Sequence, residues 1–306
     1  MTDFSFNPAP FLEFADDVAL KRVRAIDREN FVKHDNPDFQ ISVHDNRQSL
    51  YEAFANDIVA TILDALNEGR RPVLIVPAGP MPQYHAAARI INEQRISLKD
   101  VTFFAMDEWA NELGESAPGS WEGSFQFALR SQFFARIDAE LLPPDHQINF
   151  PTSATIADYG NRIADLGGAD ACFGGIGWNG HIAFWEPQLG QEFAGDLSAY
   201  RAASSRLVDL HPLTVAQNAL TSFAGDWSNV PPRAVTIGPA EILGARRRSF
   251  WLDGDLGGGV TWQGFIARLV AHGPVNEFVP GSLLQTARSD LAVLEAIAAP
   301  LDILIN

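Results

Sequence analysis

Val73-Leu74-Ile75-Val76-Pro77-Ala78-Gly79-Pro80 sets four consecutive apolar residues directly before a turn. A short unbroken apolar run suits a parallel strand buried on both faces, because a strand with one wet face would alternate. Upstream, Leu50, Phe54, Ile58, Ile62 and Leu66 recur every four residues, which places them on one face of a helix that Gly69 can cap. Downstream, residues 83–92 have a second helical pattern. Helix, buried strand, tight turn and helix together predict a parallel sheet covered by helices.

Working outward, the alternation continues. Residues 101–106 read as a strand ending at Asp107, and 170–175 as a strand running into a glycine-rich turn. Residues 234–237 and 249–252 read as further strands, and 301–305 as a final one. Helices are expected over about 121–137, 154–166, 262–271 and 290–298. The fold class is therefore α/β: a mainly parallel, doubly wound (Rossmann-like) sheet with helices on both faces. It forms a single domain over 46–306, behind a poorly periodic N-terminal extension over 1–45. In open sheets of this class, ligands bind at the carboxyl ends of strands. Three expected strand ends carry conspicuous residues: Pro77-Ala78-Gly79, Asp107-Glu108 and Gly175-Ile176-Gly177.

Composition bounds the function. Of 306 residues, 46% are apolar and 20% charged, ordinary values for a globular protein. The net charge of −16 argues against nucleic acid or an anionic membrane as a partner, since both require basic surface. Cys172 is the only cysteine, which excludes an intrachain disulfide and makes a cysteine metal cluster implausible. Its apolar neighbours Ala171 and Phe173 mark it as a buried structural thiol. The N-terminus lacks a basic segment followed by an apolar run, and no apolar stretch approaches the ~18 residues that span a bilayer, so a cytoplasmic location is expected.

The most informative segment is Phe173-Gly174-Gly175-Ile176-Gly177-Trp178-Asn179-Gly180-His181-Ile182-Ala183-Phe184-Trp185-Glu186-Pro187. Its glycines permit unusual backbone angles and close approach to a ligand. His181 can exchange protons near neutral pH, and Glu186 can orient it. By itself the pattern fits a hydrogen-bonded histidine in a structural turn equally well.

This run resembles the signature of the glucosamine-6-phosphate deaminase/isomerase family, with Asn179 where the family carries Asp or Asn. Two more segments fit in the same order. Ala105-Met106-Asp107-Glu108-Trp109 is similar to the family's Met-Asp-Glu-Tyr strand end, and Val76-Pro77-Ala78-Gly79-Pro80-Met81-Pro82 to its phosphate loop. Weaker similarity runs through Ser205-Arg206, 234–238 and 279–285, so the resemblance covers roughly residues 45–300. It implies a cofactor-free, metal-free reaction on an amino sugar phosphate. His181 would move a proton to the ring oxygen and open the ring, with Glu186 and Asn179 orienting it. Asp107 would take the proton from C2 and return it at C1, and ammonia would leave C2. Ala78, Gly79, Pro80, Met81, Glu108, Trp109, Gly177, Gly180, Trp185, Arg206 and Gln263 would line the substrate.

The phosphate end departs from the family pattern. Pro80 and Met81 stand where hydroxyls and N–H groups are expected, Gln263 where a Lys is, and Leu220 where an Arg is. Proline has no N–H and a thioether is not a donor. Arg206 or the run Arg246-Arg247-Arg248 could compensate, although such a run ordinarily forms a solvated turn. Trp109 and Trp185 replace Tyr and Asn of the family, and Trp178 sits in the glycine turn. Each could stack on a sugar or simply pack in the core. The expectation is an amino-sugar isomerase/deaminase whose preferred substrate is not the ordinary 6-phosphosugar. Lactone hydrolysis of the 6-phosphogluconolactonase type and a non-catalytic sugar sensor are the competing readings. The expected partner is a small sugar, and the sequence leaves room for a homo-oligomer.

Overall fold

The structure is a computed structural model and describes residues 6–79, 81–257 and 260–301. Ten strands form among them: β1 (Phe39–His44), β2 (Val73–Val76), β3 (Thr102–Ala105), β4 (Asp107–Ala110), β5 (Ile148–Asn149), β6 (Ala171–Gly174), β7 (Arg206–Asp209), β8 (Arg233–Thr236), β9 (Arg247–Leu252) and β10 (Ser289–Leu294). The apolar run at 73–76 becomes β2, with all four residues buried. It pairs in parallel with β3 on one side and β6 on the other. The resulting seven-stranded sheet has the order β1-β10-β9-β6-β2-β3-β5, and every pairing within it is parallel.

Alternate side chains of β2 enter different cores. Leu74 and Val76 pack with Phe54, Ile58 and Ile62 of the helix Arg47–Asn67 and with Tyr84, Ala87 and Ile91 of the helix Pro82–Glu93. Val73 and Ile75 join the opposite core, with Ile156, Tyr159, Ile266 and Val270 from the helices Ile156–Asp165 and Gly264–His272. Each such aliphatic side chain stabilises the fold by about 1.5–3 kcal/mol on burial, so both faces of the sheet must be covered.

Four expectations are changed. Residues 289–294, expected to begin a helix, form β10 between β1 and β9. Leu291-Ala292-Val293-Leu294 is buried throughout, and pairing on both sides outweighs the helical preference of Ala and Leu. A short helix, Glu295–Ala298, follows. Second, the stretch 234–237 lies outside the parallel sheet: β8 is the middle strand of an antiparallel sheet β4-β8-β7. Third, the expected boundary at residue 45 falls directly after β1, so the preceding segment contributes an edge strand to the main sheet. It also contributes the helix Asp17–Arg24, whose Arg22 donates to the carbonyl of His272 (2.7 Å). Fourth, the helix expected over 121–137 is shorter, Phe125–Gln132, with a 3₁₀ turn at Phe134–Arg136. The strand expected at 301–305 lies, apart from Leu301, outside the described residues. Among the described residues, no helix is long and apolar enough to cross a membrane.

Met106 is the point where the chain changes sheets. Its N–H still donates to Val76 in the first sheet (3.1 Å), while its carbonyl accepts from Ile237 beside the second (2.9 Å). Asp107 is the next residue, and so stands where the two sheets part.

Candidate active site

The carboxyl ends of β2, β3, β6 and β9 open onto one cavity of about 460 Å³. Pro77, Ala78 and Gly79 line it after β2, Met106 and Asp107 after β3, Gly175, Ile176 and Gly177 after β6, and Asp253, Gly254 and Asp255 after β9. The three strand ends singled out in the sequence thus converge on one site, joined by a fourth. His181, Ala183 and Phe184 face the same space, as do Gln217, Asn218, Leu220, Thr221 and Ser222 from the helix Pro212–Ser222.

The turn after β6 is drawn tight around His181. Gly177 donates to the carbonyl of His181 and Gly180 to that of Gly177, each at 2.9 Å. A Cβ on Gly177 would lie 1.9 Å from the His181 ring, so only glycine fits there. Gly180 has φ +90°, and a Cβ on it would press on Ile266 and Val279. Ala183 also takes a left-handed conformation, φ 52°, which is strained for a residue with a side chain. Phe184 N–H donates to Thr236 Oγ1 (3.0 Å), fixing the far end of the turn to β8.

His181, Asn179, Thr214 and Glu186 form a closed hydrogen-bond network. Asn179 Nδ2 donates to Glu186 Oε2 (2.8 Å), and the Thr214 hydroxyl donates to the same oxygen (3.0 Å). A carboxylate only accepts, so Asn179 must turn Oδ1 toward His181, whose Nδ1 lies 2.8 Å away. Thr214 Oγ1 is 3.0 Å from the same nitrogen, with its own proton committed to Glu186. Every partner of Nδ1 is therefore an acceptor. Nδ1 carries hydrogen and Nε2 is left for proton exchange.

Glu186 is fully buried. Burial alone would raise its pKa, but the nearby His181 and the donors from His181, Asn179 and Thr214 outweigh it and hold the carboxyl below its ordinary value. His211 N–H adds a contact to Oε1 (3.2 Å). Asp107 behaves oppositely. It is buried, and burial, followed by the neighbouring Glu108, pushes it well above the usual carboxylate range. One cavity thus holds an imidazole of fixed tautomer and a carboxyl of raised basicity. A buried carboxyl beside an imidazole whose free nitrogen faces the same space is an arrangement that acid–base chemistry uses.

No protein-family model matches the chain. Among curated proteins, the glucosamine-6-phosphate deaminase of Halothermothrix orenii is 31% identical over 225 residues, 72% of this chain and 83% of that protein. The chain belongs to the glucosamine-6-phosphate deaminase family. The Caenorhabditis elegans member is 29% identical over 222 residues, covering 71% and 76% of the two chains. Among solved structures, a monomeric glucosamine-6-phosphate deaminase superposes with a TM-score of 0.71 at 21% identity, over 85% of this chain and all but 1% of its own. A 6-phosphogluconolactonase from Thermotoga maritima shares the fold, with a TM-score of 0.59 at 12% identity.

For a deaminase-family site, the remaining expected residues are distributed unevenly. Ala78, Gly79, Gly177 and Gln263 line the cavity, and Pro80 lies outside the described residues. Glu108 does not face the cavity. It accepts the N–H groups of Trp109, Phe125 and Gln126 at 2.9–3.0 Å, and so satisfies the first two donors of the helix Phe125–Gln132. Burial pushes its carboxyl up to about 7 against those donors. Met81 packs on the apolar core at the start of the helix Pro82–Glu93. Trp109 is not a sugar platform: it is buried behind Phe125 and Phe184, 4.8 and 4.9 Å between ring centres, and those two rings face the cavity. Trp185 is fully buried in the same cluster. Arg206 is not a substrate clamp. It is held by Glu192 in two contacts of 2.8 and 2.9 Å and lies over the Trp185 ring. Arg247 and Arg248 are likewise spent, on Asp57 and Asp290 and on backbone carbonyls respectively. Trp178, in the glycine turn, lines a separate apolar groove. Cys172 is fully buried, and burial pushes its thiol up, as an inert core residue requires.

Sequence reasoning missed Thr214, Arg47, Asp253, Asp255, Trp251 and Trp262. Thr214 enters the His181 network from a helix 33 residues downstream, and no local motif marks it. The two tryptophans that do line the cavity follow β9 or lie in it, a strand whose sequence carries no recognised signature.

Proposed function

We propose that the chain isomerises an amino sugar and releases its nitrogen as ammonia, with Asp107 and His181 as the proton-transfer groups. The observation that carries this reading is the pairing, in one cavity, of the buried Asp107 carboxyl with His181, whose Nδ1 is locked by Asn179, Thr214 and Glu186. His181 Nε2 moves a proton at the ring oxygen, giving the open-chain aldehyde. Asp107 then removes the proton from C2, leaving an enolamine, and delivers it to C1. The nitrogen at C2 becomes an iminium, which water hydrolyses to a ketone and ammonium. One carboxylate serves both adjacent carbons, and burial makes it a stronger base than a solvated aspartate. A positioned base of this kind typically contributes about 10²–10⁴-fold.

The test follows the C2 proton and the nitrogen separately. A panel of amino sugars is incubated with enzyme in D₂O, exchange at C2 is read by NMR, and ammonium is assayed. Wild type should exchange and deaminate, and Asp107→Asn should do neither while remaining folded. His181→Gln should slow cyclic substrate more than an open-chain analogue. Hydrolysis of sugar lactones without C2 exchange, or sugar binding without turnover, would replace this reading.

A further inference from the structure

Resting on that reading, we infer that the end of the cavity under the loop after β9 takes the hydroxyl tail of an unphosphorylated amino sugar. In the sheet order, β9 is separated from β3 by β6 and β2. Three strand spacings put that loop roughly 14 Å across the carboxyl edge from the backbone of Asp107. Side chains from both sides leave a span suited to one hexose, whose far end meets Asp253 and Asp255.

That end offers acceptors where a phosphate would need donors. Both aspartates line it, and among the described residues no lysine does. The one arginine there, Arg47, is tied to the loop itself: its Nη2 donates to the carbonyls of Asp253 and Asp255. Gln263 is equally committed. Its Nε2 donates to Ile176 O (2.7 Å) and its Oε1 accepts from Gly254 N–H (2.7 Å), which also removes that N–H from any ligand.

The turn after β2 has lost part of its donor supply. Pro80 and Pro82 have no N–H to give. Those of Tyr84 and His85 donate to Met81 O, at 3.0 and 3.4 Å. A dianion brought here would be stripped of water against two carboxylates, with one latched cation to offset them. A sugar hydroxyl instead donates to a carboxylate, one of the stronger hydrogen bonds available to it. Asp255 Oδ1 accepts only Gly257 N–H (2.9 Å) among the described residues, which leaves acceptor capacity for such a hydroxyl.

The experiment compares glucosamine with glucosamine 6-phosphate on the intact protein, by kcat/KM for ammonium release and by calorimetric Kd. Wild type should favour the unphosphorylated sugar by about 10²-fold in kcat/KM, with Kd in the same order. Asp255→Asn should lower kcat/KM for glucosamine by about tenfold through KM. Asp255→Lys should move the preference toward the phosphorylated sugar by at least as much. A wild-type preference for the phosphorylated sugar overturns the inference and leaves the proposed reaction standing. If neither sugar is deaminated, the proposed reaction falls, and the ratio of the two Kd values still decides which tail this end selects; binding of the phosphorylated sugar alone, or of neither, overturns the inference.

Discussion

Thr214→Val isolates what the buried network does for His181. The side chain is fully buried, and valine replaces its hydroxyl with a methyl of nearly the same volume, so neither cavity nor clash is introduced. What is lost is the 3.0 Å hydrogen bond to Glu186 Oε2, the 3.0 Å contact with His181 Nδ1 and the 3.3 Å hydrogen bond accepted from Asn179 Nδ2. Glu186 Oε2 keeps Asn179 Nδ2 at 2.8 Å and the longer contact with His181 Nδ1 at 3.5 Å. A hydrogen bond to a charged group is worth about 1.5–3 kcal/mol, which corresponds to roughly 10- to 150-fold if it is expressed in the transition state. The loss should fall on kcat with KM nearly unchanged, because Thr214 does not line the cavity. Thr214→Ser, which keeps the hydroxyl, should restore most of the rate.

Stability supplies an independent readout of the same substitution. The folded Glu186 carboxyl lies below its ordinary value, so its contribution is complete above the usual carboxylate range and is lost as pH falls through the lowered folded value. The deficit of Thr214→Val in urea unfolding should be fullest near pH 7, on the order of 1–3 kcal/mol, and should shrink in acid. A change in kcat/KM of less than about twofold, or a loss carried by KM alone, would remove Thr214 from the proton-handling chain.

Asp107→Asn should stabilise the fold while it abolishes turnover. With a folded value raised above the unfolded one, Asp107 costs stability as pH climbs from the unfolded toward the folded value, by up to about 1.4 kcal/mol per pH unit. The advantage of the variant in urea unfolding should therefore be absent near pH 3 and grow toward neutral pH; a pH-independent difference would contradict the assigned burial cost. Gly177→Ala should lower kcat by more than about 10²-fold with the fold retained, since its Cβ must displace the imidazole; unchanged kcat would show that the ring position is not critical. Gln83 is fully buried, and neither amide atom has a hydrogen-bond partner among the described residues. Gln83→Met should raise unfolding free energy by about 1–3 kcal/mol, and destabilisation would indicate an unrecognised partner for the amide.

What was legible in the sequence is what is local. The run at 73–76 is apolar because β2 is covered on both faces, and Gly177 and Gly180 are needed because the backbone folds around His181. Asp107 stood out as a strand end; β3 stops at Ala105, and Asp107 opens β4 of the second sheet. That change of sheet explains the error at Trp109. Residues 107 and 109 share a face of β4, but the helix Phe125–Gln132 and the turn at Phe184 close over the second position and leave the first open. Glu108, on the other face, is consumed by the N-terminus of that helix. Neither fate is written near the motif, because each depends on an element placed by tertiary packing. Arg206 was misjudged for the same reason: its partner Glu192 lies in a 3₁₀ segment with no signature.

Gln263 joins the two halves of the argument. The sequence marked it as a missing cation, a loss for anion binding. In the fold its amide bridges the loops after β6 and β9, and the fit is close enough that a Cβ on Gly254 would lie 2.4 Å from Gln263 Oε1. A lysine ammonium has three donors and no acceptor, so it could hold Ile176 O but could not receive Gly254 N–H. The bridge requires a side chain that both donates and accepts. A glutamine here, where the resemblance leads one to expect a lysine, fixes the loop that carries Asp253 and Asp255 and adds no positive charge to the cavity. Gln263→Lys separates the two: it adds a charge but breaks the bridge. If the bridge positions the aspartates, KM for the preferred sugar should rise about tenfold or more even though the cavity has become less acidic. If KM instead falls for a phosphorylated sugar and holds for the unphosphorylated one, charge alone governs this end and the bridge is incidental.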